Sequence, residues 1–466
     1  MIRSKLFPST SLLTLLFVAV GPSVAAYSQS TTDWPSFRGP GGRGVADGGD
    51  VPIQWNADSE DGPNEGVLWE AEVPGLGHSS PVIVGERIFL LTAVPDEGET
   101  ELNIAAGGNI DAAEDSGSYS WIILCYDKST GEELWRKTAH HGEPKATRHS
   151  KATHANSSVC VDGDRVVACF GSEGVYCYDL DGTLIWERDL GVIDVSKYGI
   201  GWGYASSPAI HGGRVAVIGD DPDHPFVTVL QLSDGEEVWR SDRSEVCERS
   251  WGSPFIFEAD GVTQMVVNGF PWIVSYDFET GEELWRLEGG GDNPIPTPFM
   301  ANGWIYITNA HGGKAPIYVL RPEARGTILI DSDEESEEES DDEPNPLVWS
   351  VERGGSYMST PVVSGDYLYL GNSNGVVRCF HAITGEKMFE KRLGKEAGVI
   401  ASLLSVDGNV VCASENGTVY VLMSGPEYES LAENSMGEPC FATPAVAGGV
   451  LFIRTTKRLV AIGNTE

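Results

Sequence analysis

The sequence predicts an all-β protein, an eight-bladed β-propeller of four-stranded antiparallel blades whose ring is closed by an N-terminal strand. Three observations predict it. An opening phrase recurs along the chain, a closing phrase ending in tryptophan recurs with it, and one closing strand is missing at the C-terminus and surplus near the N-terminus.

The stretch from Thr360 to Lys391, TPVVSGDYLYLGNSNGVVRCFHAITGEKMFEK, shows the unit. Pro361-Val362-Val363 leads to a turn at Gly365-Asp366, and Tyr367 to Leu370 then alternate in polarity. A polar loop, Gly371 to Gly375, precedes Val376 to Phe380, a turn at Thr384-Gly385 and a last strand around Phe389. Short β-rich runs between Gly, Asp and Asn turns at this spacing mean consecutive antiparallel hairpins. The opening of the phrase, a small hydroxyl residue followed by Pro, recurs at Ser80-Pro81, Ser207-Pro208, Ser253-Pro254, Thr297-Pro298, Thr360-Pro361 and Thr443-Pro444. Ser158-Val159 and Leu403-Leu404 fit as degenerate copies. Successive gaps are 78, 49, 46, 44, 63, 43 and 40 residues. The two long ones contain a Gly/Ala/Asp/Glu-rich insertion at 95–118 and an acidic insertion at 331–346. The underlying period, about 43 residues, suits the four strands of a propeller blade.

The closing phrase is TGEELW at Trp135 and Trp285, DGTLIW at Trp186, DGEEVW at Trp239, PLVW at Trp349 and TGEKMF at Phe389. Gly in the Thr-Gly or Asp-Gly pair takes the positive φ that the turn needs. Burying each indole is worth roughly 4–6 kcal/mol at about 25 cal/mol per Å², so these tryptophans read as structural docking residues between blades. The eighth unit, Phe441 to Gly463, lacks a fourth strand, and Val67-Leu68-Trp69-Glu70 ahead of the first unit matches one. Pairing the two abolishes the exposed sheet edges of an open ring. The expected organisation is a leader at 1–26, an arm at 27–66 and a propeller at 67–466.

The leader reads as a secretory signal. Arg3 and Lys5 precede the apolar run Leu12 to Val20, and Val24-Ala25-Ala26 forms a small-residue cleavage site. Export to the periplasm or the extracellular space is therefore expected, with no lipid anchor and no transmembrane segment. Asp and Glu outnumber Lys and Arg by 69 to 31, which excludes a phosphate-backbone binder, because such binding needs clustered cations. Ten acids lie between Asp331 and Glu343. This self-repelling run is expected to be disordered and dispensable for folding.

At this point the residues resemble a known family. TGEELW phrases after Tyr126-Asp127 and Tyr276-Asp277 are similar to pyrroloquinoline-quinone-type (PQQ) propeller repeats with their tryptophan-docking motif, over essentially the whole mature chain. The resemblance extends to exported PQQ-binding-like propellers of planctomycete bacteria through Asp33-Trp34-Pro35-Ser36-Phe37-Arg38-Gly39-Pro40, Val266-Val267-Asn268-Gly269 and Ala442-Thr443-Pro444-Ala445. It implies one of two functions. Non-catalytic relatives resemble the outer-membrane assembly propeller, which binds a partner protein. Catalytic relatives are alcohol or sugar dehydrogenases holding PQQ and calcium in the central funnel, near a disulfide of adjacent cysteines and a catalytic Asp. This chain has eight cysteines but no adjacent pair, and the calcium-ligand and Asp positions have no residue-by-residue match. A binding or scaffold role without catalysis or resident cofactor is the leading expectation, and a PQQ-dependent oxidoreductase the alternative. The expected partner is an envelope protein or a small anionic or polar ligand, and the chain is expected to be a monomer.

Other motifs are weaker. Gly371 to Gly375 satisfies the hydrolase G-x-S-x-G pattern, but that motif needs a strand-to-helix elbow and here both flanks are strands. Cys169 and Cys177 flank a hairpin loop and are either placed to bridge it or are small buried apolar residues. His140, His141, Lys145, Arg148, His149, Lys151 and His154 crowd one inter-blade connection, as a cationic rim for an anionic ligand or as an offset to nearby carboxylates. Connections into the inner strands converge on one channel mouth. They supply the candidate ligand-binding residues His78, His154, Trp202, Tyr204, Arg249, Trp251, Asn293 and Tyr357, with Met358 and Phe441 beside them. A mixture of apolar faces and a few polar groups is what a concave site requires; the rival reading is an aromatic plug.

Overall fold

A computed structural model describes residues 32–60, 62–104, 111–197, 200–330, 345–395 and 398–464. The expected leader lies outside the described residues, as do 105–110 of the first insertion and 331–344 of the acidic one. Eight four-stranded antiparallel sheets follow in chain order, each starting at the channel and ending at the rim. Blades 1 to 4 run from Val82–Val84 to Glu133–Gly142, Cys160–Asp162 to Leu184–Arg188, Ala209–His211 to Glu237–Asp242, and Phe255–Ala259 to Glu283–Glu288. Blades 5 to 7 run from Phe299–Ala301 to Leu347–Val351, Val362–Ser364 to Lys387–Arg392, and Leu404–Val406 to Ser430–Ser435.

Blade 8 joins the two ends of the fold. Ala445–Ala447, Val450–Arg454 and Arg458–Ile462 are completed by Val67–Glu72, with Trp69 opposite Ala461. Two blades carry added strands. Gly326–Ile328 adds in parallel to the rim of blade 4 and Cys247–Arg249 pairs antiparallel with its third strand, while Val45–Ala46 adds in parallel to the inner edge of blade 7.

The middle strands are buried on both faces, which is why they read as apolar runs. In blade 6, Val377 and Cys379 pack with Val410 and Cys412 of blade 7, while Phe380 packs with Tyr306 and Val319 of blade 5. The hairpins between first and second strands turn on residues of positive φ. At three of them the first turn residue is Asp260, Asn302 or Asp407, at φ near 50°, which short polar side chains tolerate.

A ring of hydroxyls closes around the channel. The Ser80 amide donates to Ser158 Oγ, Ser158 to Ser207, Ser207 to Ser253 and Ser253 to Thr297, at 2.8–3.1 Å. Thr297 continues to Thr360, Thr360 to Ser402, Ser402 to Thr443, and Thr443 back to Ser80, at 2.9–3.1 Å. The recurring hydroxyl of the opening phrase thus gives each buried amide its acceptor in the next blade. Leaving such an amide unpaired would cost about 1–3 kcal/mol. In blade 7 the hydroxyl is Ser402, one residue ahead of the Leu403-Leu404 pair chosen from sequence.

The docking tryptophans bind blade to blade. Trp69, Trp135, Trp186, Trp239 and Trp349 donate Nε1 to the carbonyls of Lys128, Leu180, Leu232, Phe278 and Ala382 in the following blade, at 2.8–3.0 Å. The turn glycine under each ring is required twice, for its positive φ and for the close approach. A Cβ at Gly131 would lie 2.5 Å from the Trp69 ring, and one at Gly281 2.7 Å from Trp239. Trp285 departs from the pattern: its indole N–H has no acceptor among the described residues, and its backbone pairs instead with Gly326 of the added strand. Phe389 holds the position in blade 6, and Ala432, opposite Val421, holds it in blade 7.

All eight cysteines are buried free thiols. Cys169 faces Val175 and Cys177 faces Val167, so the two are offset and do not bridge the hairpin. Cys125 and Cys177 lie opposite Trp135 and Trp186, where a small apolar side chain leaves room for the indole.

The arm crosses the channel at the end where the inner strands finish. Trp34 pairs with Ile83 of blade 1, Val161 of blade 2 donates to the Pro35 carbonyl, and Ser405 of blade 7 donates to Gly44. Between them Arg38 is fully buried in the channel. Its guanidinium donates to the carbonyls of Thr360, Pro361, Leu403, Gly42 and Arg43 at 2.6–3.2 Å.

Candidate functional site: the open channel mouth

At the opposite end, the connections into the inner strands and the loops between second and third strands enclose a cavity of about 390 Å³. Three stacked ring pairs form much of its wall. Trp202 and Trp251 stack at 5.8 Å, His311 and Tyr357 at 5.1 Å, and His78 and Phe441 at 4.7 Å between centroids. Five of these six rings sit on the segments before inner strands. His311 sits on the loop between the second and third strands of blade 5, alongside Ser373 of the equivalent loop in blade 6.

Four of the eight expected site residues line the cavity: His78, Trp202, Trp251 and Tyr357, together with Met358 and Phe441. Two of the other four support it. Asn293 reaches the Tyr357 hydroxyl at 3.4 Å, and Arg249 holds the Asp292 carbonyl at 3.2 Å, while the carboxylate of Asp292 is bonded to His311 Nδ1. Tyr204 packs between blades 2 and 3, its hydroxyl donating to the Ile218 carbonyl. His154 turns away from the cavity, bonded to Asp115 at 2.9 Å and packed on Tyr119 and Trp121.

The expected cationic rim is neutralised. His141 pairs with Asp96 at 3.0 Å, Lys145 with Asp189 at 3.6 Å, Arg148 with Asp115 at 2.7 Å and Lys151 with Glu415 at 3.0 Å. Burial alone would raise the Asp115 pKa, but the bonds from His154 and Arg148 outweigh it and hold the carboxyl well below its usual range. This ionised clasp fastens the blade 1 insertion over the connection, where Ala113 donates to the Arg148 carbonyl and Ser150 to that of Asp111. Sequence reading restricted to the segments before inner strands missed His311 and Ser373, and within those segments it passed over Asn156, Ile295 and Ile400. It noted His149 and Lys151 only as part of the rim, and both line the cavity.

Trp251 donates Nε1 to the Gly203 carbonyl, whereas the buried Trp202 N–H has no acceptor among the described residues. Lys151 and its neighbours give the cavity a polar side, and no carboxylate lines it. Among the described residues, no group of three or more His, Cys, Asp or Glu is placed to hold a metal, and no helix is long and apolar enough to cross a membrane.

His78 carries a pH signature. Nε2 donates to the Lys151 carbonyl at 2.9 Å, and burial pushes the pKa down to about 4, against the raising effect of that carbonyl. The unfolded chain binds the proton near pH 6.5, so the contribution of His78 to stability is fully present above that value and is lost as pH drops toward 4. The expected loss is about 3 kcal/mol at most. Urea unfolding at pH 7, 5.5 and 4 should show this limb in the wild type and its loss in His78→Gln. An identical pH dependence in both proteins would contradict it.

The family model of the outer membrane protein assembly factor BamB matches residues 119–247 and 223–465. The BamB of Burkholderia pseudomallei (strain K96243) is 32% identical over 111 residues, 23% of this chain and 28% of the relative. That of Yersinia pestis is 22% identical over 271 residues, 56% of this chain and 59% of the relative. The chain thus spans less than two thirds of either curated relative. The crystal structure of BamB from Moraxella catarrhalis covers 81% of this chain and 98% of its own at a TM-score of 0.52 and 16% identity, a likeness of fold. Repeat phrase, blade architecture and a family match spanning most of the sequence agree, and the protein belongs to the family of the outer membrane protein assembly factor BamB.

Proposed function

We propose that the protein is a non-catalytic binding or scaffold propeller working outside the cytoplasm, and that the cavity at the open channel mouth is where it holds its partner. The observation that carries this reading is the cavity itself. Six rings from five connections and one loop converge on it. A rigid ring presenting loops is a common platform for recognition. The relatives are assembly factors for outer membrane proteins by name, and on that likeness the partner is an envelope protein, with a small polar ligand as the other occupant of the same site.

The rival reading is quinone-linked oxidation. Three histidines line the wall, but with no carboxylate beside them a divalent ion would lack the acidic oxygens it usually takes, which favours binding over metal-assisted oxidation. Two measurements test the proposal. Wild-type protein and Trp251→Ala are compared for retention of proteins from a detergent-solubilised envelope fraction. Both are then supplied with the quinone and calcium and assayed for dye-linked oxidation of alcohols and sugars. The proposal expects a defined envelope protein held by the wild type and lost from a folded variant, with no oxidation. Oxidation by the wild type, or equal retention by both, would overturn it.

A further inference from the structure

One cluster of cations in this acidic protein lies away from the histidine-rich connection that stands out in the sequence. A cleft of about 530 Å³ opens between blades 5 and 6, lined by Lys314, Arg353, Arg378 and Lys387 with a single carboxylate, Glu390. In a chain with 69 acids and 31 bases, four cations against one acid is a local reversal of charge. The four come from separate stretches: the second loop of blade 5, the connection to blade 6, and the third and fourth strands of blade 6.

The geometry explains why these charges stay positive and accessible. Glu390 is shared, bonded to Arg378 Nε at 3.1 Å and to Lys387 Nζ at 3.5 Å. It therefore holds two cations in place while neutralising one. Lys314 and Arg353 are exposed, and neither has an acidic partner among the described residues. Gly313, Gly354 and Gly355 keep the wall between them low, and Asn372 and Asn374 add polar groups from blade 6. The stacked pair His311 and Tyr357 separates this cleft from the central cavity and lines both.

We propose that this cleft is a second binding site, separate from the central cavity, for a small ligand carrying two or more oxyanionic charges. Carboxylate and phosphate groups share the required chemistry: several oxygen acceptors that an Arg fork and a Lys ammonium can meet together. The net negative charge of the chain disfavours such a ligand over most of the surface, and the cleft reverses that locally.

Calorimetric titration with citrate and with tripolyphosphate, at an ionic strength of about 0.01 M, tests the site and tells carboxylate from phosphate. The wild type is expected to bind at least one of them, more weakly as salt is added. Lys314→Gln and Arg353→Gln should each weaken binding about tenfold while leaving the thermal midpoint unchanged, since both side chains are exposed. Trp202→Phe, in the central cavity, should leave the affinity as it is. No binding of either anion, or binding that survives the double substitution, would overturn the proposal. Neither result bears on the central cavity.

Discussion

Arg38→Ala is expected to destabilise the protein by about 3–5 kcal/mol, although Arg38 belongs to no blade. Its guanidinium is fully buried and meets five carbonyls and no carboxylate. Burial pulls its pKa down to about 9, still above neutrality, so the charge is retained and the hydrogen bonds are charge-assisted. Alanine would leave buried carbonyls of blades 6 and 7 without donors and would open a hole in the channel. Lysine keeps the charge but replaces the planar fork with a compact ammonium, so Arg38→Lys should recover only part of the loss. Chemical denaturation of the three proteins decides the matter. A loss under about 1 kcal/mol for Arg38→Ala, the scale of an ordinary surface change, would mean that the arm decorates the ring without anchoring it.

The second large effect is expected at the junction of the two chain ends. Trp69 lies on the strand that completes blade 8, donates to the Lys128 carbonyl of blade 1 and covers Gly131. Removing it strikes both the closing strand and the seam between the last and first blades. Trp69→Ala should cost about 2–4 kcal/mol, below the full scale for a buried Trp because the ring is partly buried, and should lower the unfolding transition of the whole ring. Hydrogen exchange separates the alternatives. Faster exchange in blades far from the seam, such as 4 and 5, is expected; faster exchange confined to residues 67–72 would show a frayed end on an otherwise intact ring.

Much of the fold was legible because a propeller repeats its solution. The hydroxyl before Pro81, Pro208 or Pro361 and the Gly beneath each docking Trp recur since every blade has the same unsatisfied amide and the same close approach. The exceptions were illegible for the same reason: Ser402 lacks the following Pro, and Trp285 lost its acceptor where the chain departs from the repeat. The site was half legible. Trp202, Trp251, Tyr357 and His78 could be placed because their phase in the repeat puts them at the mouth. Tyr204, two residues from Trp202, turns into the interface between blades 2 and 3, and His154, before blade 2, turns onto Asp115; nothing in the local sequence distinguishes them. The cationic cleft was invisible, because Lys314, Arg353, Arg378 and Lys387 are scattered in sequence and meet only when two blades pack.

The most direct test of the central claim is hydrogen–deuterium exchange on the protein alone and with the captured envelope partner. Protection is predicted in the segments that wall the cavity, around 149–156, 202–205, 251, 357–358 and 441, with the blade rims and the arm unchanged. Protection on the rims or at the arm-covered mouth, with the cavity segments exchanging as in the free protein, would contradict it.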